Sequence, residues 1–155
     1  MYRKGTDMDR QFKFDIVITS GGFDPLHVGH LEYLYKAKGF GRLHICIVNS
    51  DEFLLRKKGY IFMPQEERIC ILRSLRCVDS VYRGSKDEYS VVNNLSEIRK
   101  YNPTQSICFA KGGDRNKNNI PEFPFLEKLS ITLIDGLGSK IKSSSEMVRR
   151  SFNNG

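Results

Sequence analysis

Long apolar runs are absent from this sequence. None approaches the ~20 residues that a helix needs to cross a bilayer. Residues 1–13 are polar and basic, so they also lack the apolar centre of a secretory signal. Both absences lead us to expect a cytoplasmic protein with no membrane segment.

Paired cysteines, internal repeats and linkers are absent as well. The chain has four cysteines, Cys46, Cys70, Cys77 and Cys108. They form no CxxC pair, which argues against a metal site or a redox pair and predicts buried, reduced thiols. Without a repeat or a linker, we expect one domain over residues 13–152, preceded by a flexible N-terminus of residues 1–12.

Positive charge is in excess. The 25 lysines and arginines outnumber the 18 acidic residues, which gives a formal net charge of +7. Anions are therefore the natural partners, whether they are nucleotides, phosphorylated metabolites or nucleic acids. Charge alone does not choose among these three classes.

Apolar residues recur with the periods of strands and helices along most of the chain. The predicted elements are strand 14–20, helix 31–38, strand 42–50, helix 65–76, strand 78–82, helix 89–101, strands 105–111 and 131–134, and helix 143–152. This alternation predicts an α/β fold, a Rossmann-like doubly wound parallel sheet. Such sheets bind ligands at the carboxyl ends of the strands, where the strand order reverses.

A glycine- and histidine-rich segment follows the first predicted strand. Gly21 and Gly22 come directly after that strand, and a helix is predicted just beyond His30. Backbone N–H groups of such a loop and a helix N-terminus can bind a phosphate. His27 and His30, three residues apart, can donate to one phosphate, and Gly29 lets it approach the backbone. The third histidine, His44, lies in a strand and is interpreted as structural.

This segment, GGFDPLHVGH, resembles the GxFDxxHxGH signature of the cytidylyltransferase-like superfamily, which includes glycerol-3-phosphate cytidylyltransferases and heptose-phosphate adenylyltransferases. Residues 48–53, 66–68 and 76–79 are also similar to those enzymes, so the resemblance extends from about residue 14 to 150. It implies a nucleotidyltransferase domain over residues 13–152.

Two later segments extend the resemblance. Residues 111–114 are similar to the KGGD loop of heptose-phosphate adenylyltransferases, which lies beside the nucleotide. Residues 143–145, Ser-Ser-Ser, resemble a Ser-Thr-Thr that binds the outer phosphates, although Ser143 and Glu146 are equally well explained as a capping box. The arginine that precedes this motif in cytidylyltransferases is missing from residues 138–142, so both ATP and CTP remain open.

The resemblance assigns site residues by position. The catalytic candidates are His27, His30, Lys57 and Lys58, the lysines being placed in a loop where one of the two neutralises phosphate. The nucleotide-binding candidates are Gly21, Gly22, Phe23, Asp24, Gly29, Lys111, Gly112, Gly113, Asp114, Ser143, Ser144 and Ser145. Arg68 and Arg149 are further candidates, with a surface ion pair and a helix C-terminal charge as their simpler explanations.

The function predicted from these residues is nucleotidyl transfer. An oxygen of a phosphorylated acceptor attacks the α-phosphorus of ATP or CTP, and pyrophosphate leaves. The acceptor is a sugar, polyol or amino-alcohol phosphate. Magnesium accompanies the triphosphate, held by phosphates and water rather than by a protein metal site. We further expect a homodimer. The alternative is a nucleotide-sensing or nucleic-acid-binding module on the same fold.

Overall fold

Among the described residues, five strands and six helices follow one another, and each strand is followed by at least one helix. The computed structural model describes residues 11–113, 117–137 and 144–153, with Ser144 and Ser145 described by their backbone alone. In chain order the elements are β1 (Phe14–Gly21), α1 (Val28–Lys38), β2 (Gly41–Val48), α2 (Asp51–Lys58), α3 (Gln65–Arg73), β3 (Ser80–Arg83), α4 (Ser90–Tyr101), β4 (Ile107–Gly112), α5 (Phe123–Lys128), β5 (Ile131–Leu137) and α6 (Ser144–Asn153).

The five strands form one parallel sheet in the order β3-β2-β1-β4-β5. The chain builds outward from β1 to β2 and β3, then crosses to β4 and β5 on the other side. The predicted doubly wound α/β fold is therefore confirmed. The order reverses between β1 and β4, so the predicted ligand site lies at the carboxyl ends of these two strands. Gly21 there pairs with Val48 at the end of β2.

Both faces of the sheet are covered, as the near-continuous apolar strands require. On one face, Ile18 packs in a cluster with Leu95 of α4 and Leu126 of α5. On the other face, Val48 packs in a cluster with Leu72 of α3 and residues of α1. Full burial of such a side chain contributes roughly 1.5–3 kcal/mol, so these two layers hold the strand ends in fixed positions.

His44 is a buried polar residue with two hydrogen-bond partners inside the protein. Its Nε2 lies 2.8 Å from the Thr19 hydroxyl, and its Nδ1 contacts the Cys77 carbonyl oxygen. A carbonyl only accepts, so Nδ1 carries the proton and Nε2 accepts from Thr19. Burial lowers the pKa of His44 to about 4, which keeps the ring neutral near pH 7. The interpretation of His44 as structural agrees with these contacts.

The helix α2 was not predicted, and placing Lys57 and Lys58 in a loop was wrong. The signals were present: the Ser50 hydroxyl caps the helix by accepting from Phe53 N (3.1 Å), and Gly59 ends it with φ at 85°. The helix is short and mostly polar, and Leu54 is its one buried residue. A helical apolar stripe, which is what sequence periodicity detects, is therefore missing.

Other boundaries differ by a few residues. Helix α1 begins at Val28 instead of residue 31, because His27 caps it. Helix α5 lies in a proline-containing stretch that was read as a loop, but proline fits the first turn of a helix. Cys70 is exposed, so the prediction that all four thiols are buried was wrong for that residue. The predicted flexible segment 1–12 falls almost wholly outside the described residues.

Membrane insertion was tested on the same part of the chain. Over residues 11–113, 117–137 and 144–153, no helix combines the length and the apolarity that crossing a bilayer requires.

Candidate active site

The first turn of α1 is closed by two histidines. His27 is the N-cap, and its Nδ1 accepts a hydrogen bond from Gly29 N (3.1 Å). His30, three residues on, returns the bond, since its Nδ1 accepts from His27 N (3.2 Å). The two rings stack with centroids 3.8 Å apart and planes 20° apart. This is the reciprocal geometry of a capping box, formed by imidazoles instead of Ser and Glu.

The capping box fixes which ring nitrogens carry protons. A nitrogen that accepts from a backbone N–H has a free lone pair, so in each neutral ring the proton resides on Nε2. Burial, followed by the nearby His27 and Lys58, lowers the pKa of His30 to about 3. His30 is therefore uncharged at neutral pH. The pair presents two Nε2–H donors side by side, which suits binding of phosphate oxygens.

The turn between β1 and α1 packs against His30 through Phe23. Phe23 adopts a left-handed backbone conformation with φ at 53° and is buried. Its ring meets His30 edge-on, with centroids 5.1 Å apart. A Cβ at Gly21 would lie 3.0 Å from the Phe23 ring, and one at Gly22 would lie 2.9 Å from Leu54. A side chain at Gly21 or Gly22 would therefore crowd Phe23 or Leu54, and these neighbours would have to shift.

Asp24 fastens the segment after α2 to this turn. It is fully buried, and its two carboxylate oxygens accept from the backbone N–H groups of Phe62 (2.8 Å) and Met63. In this structure the Asp24 carboxylate positions Phe62 and Met63, and its contact with a nucleotide stays a prediction.

The structure separates the two candidate lysines. Lys58 Nζ donates to the Asp24 carbonyl oxygen (3.1 Å), and its charge is close enough to help lower the pKa of His30. Lys57 is exposed, with Nζ 5.9 Å from the Phe53 ring centroid. Lys58 is consequently the lysine that lies beside the histidine pair.

A second cation reaches the site from β4. Lys111 Nζ donates to the Ser20 hydroxyl (2.8 Å), one residue before Gly21. Gly112 packs closely between β5 and α1. A Cβ added at this position would lie only 2.9 Å from the Leu137 carbonyl oxygen. Gly113 follows with φ at 65°, a conformation that favours glycine. The KGG portion of the predicted loop therefore lies at the switch point, beside β1.

Arg68 is buried, so its interpretation as half of a surface ion pair was wrong. It is 1% exposed and lies beneath the glycine turn. Its guanidinium donates to the carbonyl oxygens of Gly22 (2.8 Å), Asn49 (2.7 Å) and Met63 (2.9 Å), and to the Asp51 carboxylate (2.7 Å). Arg68 thus holds the glycine turn and the start of α2 together, and its direct contact with a ligand stays a prediction.

The structure does not test most of the remaining candidates. Asp114 and Ser143 lie outside the described residues, as does the suggested capping box. Ser144 and Ser145 begin α6, and only their backbone is described. Arg149 is exposed on that helix. The structure thus brings together the turn, both histidines, Lys58 and Lys111, and leaves the C-terminal motif as a prediction.

Two imidazoles and two lysines at the switch point of a doubly wound sheet are the arrangement expected for phosphate binding in a nucleotide-binding α/β protein. Comparison with known families makes this specific. The cytidylyltransferase-like family model matches residues 18–150, so the chain belongs to this nucleotidyltransferase family. The resemblance read from the sequence is thereby confirmed.

Individual relatives agree. The chain is 41% identical over 107 residues to the bifunctional protein HldE of Geobacter sulfurreducens, covering 68% of this chain and 20% of that protein. It is 38% identical over 98 residues to the FAD synthase of Thermococcus onnurineus, covering 62% of this chain and 63% of that enzyme. The chain therefore spans only about a fifth of HldE.

A solved structure supports the fold. A lipopolysaccharide core biosynthesis protein from Thermoplasma volcanium superposes with a TM-score of 0.63 at 24% identity, covering 83% of this chain and 99% of that one. At this identity the likeness concerns the fold alone.

We expect His44 to have the opposite tautomer from His27 and His30, and one spectrum of the imidazoles can show both forms. His27 and His30 should carry the proton on Nε2 and His44 on Nδ1, because their hydrogen-bond partners differ in this way. Long-range ¹H–¹⁵N NMR of the imidazoles measures this directly. Neither His30 nor His44 should titrate between pH 5.5 and 8, since their pKa values are lowered to about 3 and about 4. A His30 titration near 6.5, or an Nδ1–H form of its ring, would contradict the capping geometry.

Arg68→Lys should destabilise the protein by roughly 3 kcal/mol. A lysine keeps the charge but cannot reach all four acceptors, which leaves buried oxygens unpaired. Urea unfolding measures the loss. Arg73→Lys, an exposed position on the same helix, is the matched control and should change stability by less than about 0.5 kcal/mol. Equal stability of the two variants would mean that Arg68 does not hold the turn.

Proposed function

We propose that this protein transfers AMP or CMP from a nucleoside triphosphate to a small phosphorylated acceptor, with release of pyrophosphate. The observation that carries the proposal is the pair of Nε2–H donors fixed by the capping box of His27 and His30. Such donors are already oriented and uncharged, so they can stabilise negative charge that grows on the α-phosphate without reorganising.

Direct in-line displacement fits this site. An oxygen of the acceptor phosphate forms a bond to the α-phosphorus while the bond to the bridging oxygen of pyrophosphate breaks. The acceptor is an anion at neutral pH and needs no general base. Burial raises the pKa of Cys46 and of Cys108 to about 12, so these thiols stay protonated and are not nucleophiles. Catalysis then rests on positioning and charge stabilisation.

The two lysines lie on opposite sides of β1. Lys58 approaches from α2, and Lys111 approaches from the end of β4. Together with the positive end of the α1 dipole, they supply the charge that a triphosphate and a phosphate monoester require when brought together. The nucleoside would lie toward β4 and β5, where the predicted KGGD loop is, and the acceptor toward β2 and β3.

Magnesium is proposed to accompany the triphosphate. Over the described part of the chain, no three His, Cys, Asp or Glu side chains gather where they could hold a metal ion. In nucleotide complexes magnesium is usually coordinated chiefly by phosphate oxygens and water. The ion would offset phosphate charge, and the protein would orient the phosphates through the histidines and lysines.

Pyrophosphate release from each of the four nucleoside triphosphates, measured with sugar, polyol and amino-alcohol phosphates, tests the proposal. We expect turnover with one triphosphate and one acceptor class. His30→Ala should lower kcat by about 10²- to 10³-fold, the usual loss for one preorganised donor. Lys36→Ala, on the exposed side of α1, is the control and should stay near wild type. A wild-type protein that binds a triphosphate without releasing pyrophosphate from any pair would be a sensor instead.

The lysine pair allows a sharper comparison. Lys58→Met should lower kcat/KM at least 30-fold, because it removes the charge beside His30 and the bond to Asp24. Lys57→Met makes the same substitution at the neighbouring residue, and we expect it to lower kcat/KM less than about threefold. Steady-state kinetics with the active pair gives both values, and circular dichroism confirms that both variants fold. The reverse order of effects would reassign the phosphate-neutralising lysine to Lys57.

A further inference from the structure

Three buried side-chain atoms near the phosphate site lack hydrogen-bond partners. They are Asn49 Oδ1, Ser90 Oγ and Asn94 Oδ1, and each is unpaired with respect to the part of the chain that the structure describes. The three residues are 8%, 0% and 8% exposed. Buried polar atoms are normally paired, so a group of unpaired ones calls for a partner that binds there. We call these three residues the buried polar cluster.

The members of the cluster lie around Gly84. A Cβ at Gly84 would be 3.3 Å from the Asn49 Cα and 3.4 Å from Ser90 Oγ, so both residues border the same point. Ser90 and Asn94 are four residues apart on α4 and therefore share a face of that helix. Asn94 also donates through Nδ2 to the Arg83 carbonyl oxygen (3.3 Å), which directs its side chain to the end of β3.

The cluster adjoins the phosphate-binding turn. The backbone N–H of Asn49 donates to the Gly21 carbonyl oxygen (2.9 Å), and its carbonyl oxygen accepts from Arg68, which also holds Gly22. The buried polar cluster lies at the carboxyl ends of β2 and β3, whereas Lys111 and the glycines that follow it lie at the end of β4. Its position is thus beside the reacting phosphates and opposite the side assigned to the nucleoside.

The unpaired atoms specify the chemistry of the partner. Two of them are amide oxygens, which accept, and the third belongs to a hydroxyl, which can accept or donate. They would be satisfied by O–H groups and not by a hydrocarbon chain or a quaternary ammonium group. A phosphate monoester with several hydroxyls would satisfy them while its phosphate reaches the histidines.

We propose that the buried polar cluster is the subsite that binds the hydroxyl groups of the acceptor, which is therefore a polyhydroxylated phosphate. This inference rests on the proposed function, since it assigns the acceptor of that reaction. Asn49, Ser90 and Asn94 select hydroxylated acceptors against phosphates of similar size that carry only a hydrocarbon chain or a quaternary ammonium group.

Residues 84–89 connect Gly84, which borders the cluster, to the start of α4, and we expect this segment to move when an acceptor enters. It is held against α2 by a bond from Arg56 to the Lys86 carbonyl oxygen (2.7 Å) and by the Lys86–Glu52 ion pair (3.3 Å). Both contacts are exposed, and exposed ion pairs stabilise little. Movement of residues 84–89 therefore breaks only weak surface contacts. Binding of the acceptor would then provide partners for the unpaired atoms of the buried polar cluster.

Binding of phosphates with and without hydroxyls tests the proposal. The probes are glycerol 3-phosphate, ribose 5-phosphate, glucose 1-phosphate and n-propyl phosphate, each measured by calorimetry without turnover. At least one hydroxylated probe should bind wild type at least tenfold more tightly than n-propyl phosphate. Ser90→Ala and Asn49→Ala should each weaken that probe about tenfold, the equivalent of one hydrogen bond, and leave n-propyl phosphate unchanged.

Controls and a stability readout separate a binding role from a structural one. Ser96→Ala and Asn93→Ala replace exposed residues of the same helix and should keep wild-type discrimination. Ser90→Ala should not lower the thermal midpoint, because it removes an unpaired atom. A lowered midpoint with unchanged discrimination overturns the proposal, and so does equal binding of all four probes. Discrimination that persists in a protein releasing no pyrophosphate from any pair would refute the proposed reaction and not the subsite.

Discussion

The buried guanidinium of Arg68 is the contact on which the geometry of the site depends. Three carbonyl oxygens and one carboxylate converge on it, from the glycine turn, the end of β2, the start of α2 and the segment before α3. These are irregular pieces of chain whose polar atoms have no partners in a sheet or helix. A planar cation with several fixed donors can satisfy them together, which a lysine cannot do. The histidine pair follows the glycine turn that Arg68 holds, so the position of the pair depends on this buried side chain.

The histidines and the lysines of the site have different electrostatic roles. The imidazoles are held uncharged, because their Nδ1 atoms close a helix end and because burial disfavours protonation of His30. Positive charge comes instead from lysines placed on either side of β1. Donors that stay neutral do not attract the triphosphate strongly in its ground state, and they strengthen as charge develops on the transferred phosphate. This arrangement follows from the sheet order, which places the ends of β2 and β4 on opposite sides of β1.

The sequence predicted the fold and the closeness of the two histidines to the glycine turn, whereas the features it missed depend on contacts between distant residues. The strand–glycine–histidine segment could be read because its motif is contiguous, so His27, His30 and Gly21 needed no tertiary information. The role of Asp24 could not be read, since its partners Phe62 and Met63 are distant in sequence. Arg68 looked like a surface residue because its acceptors are backbone carbonyls, which leave no trace in side-chain identity. The choice between Lys57 and Lys58 likewise depended on the direction of α2, a helix with too few apolar residues to be detected by periodicity.

Two histidines three residues apart at the start of a helix are also a geometry that transition metals bind readily. Here the lone pair on each Nδ1 is already engaged by a backbone N–H group, and each Nε2 carries a proton. A zinc or nickel ion could coordinate Nε2 only if that proton moved to Nδ1, which would break the bonds that close the helix. Metal binding would therefore break the hydrogen bonds that close the first turn of α1. The capping box thus disfavours chelation of a metal by the histidine pair.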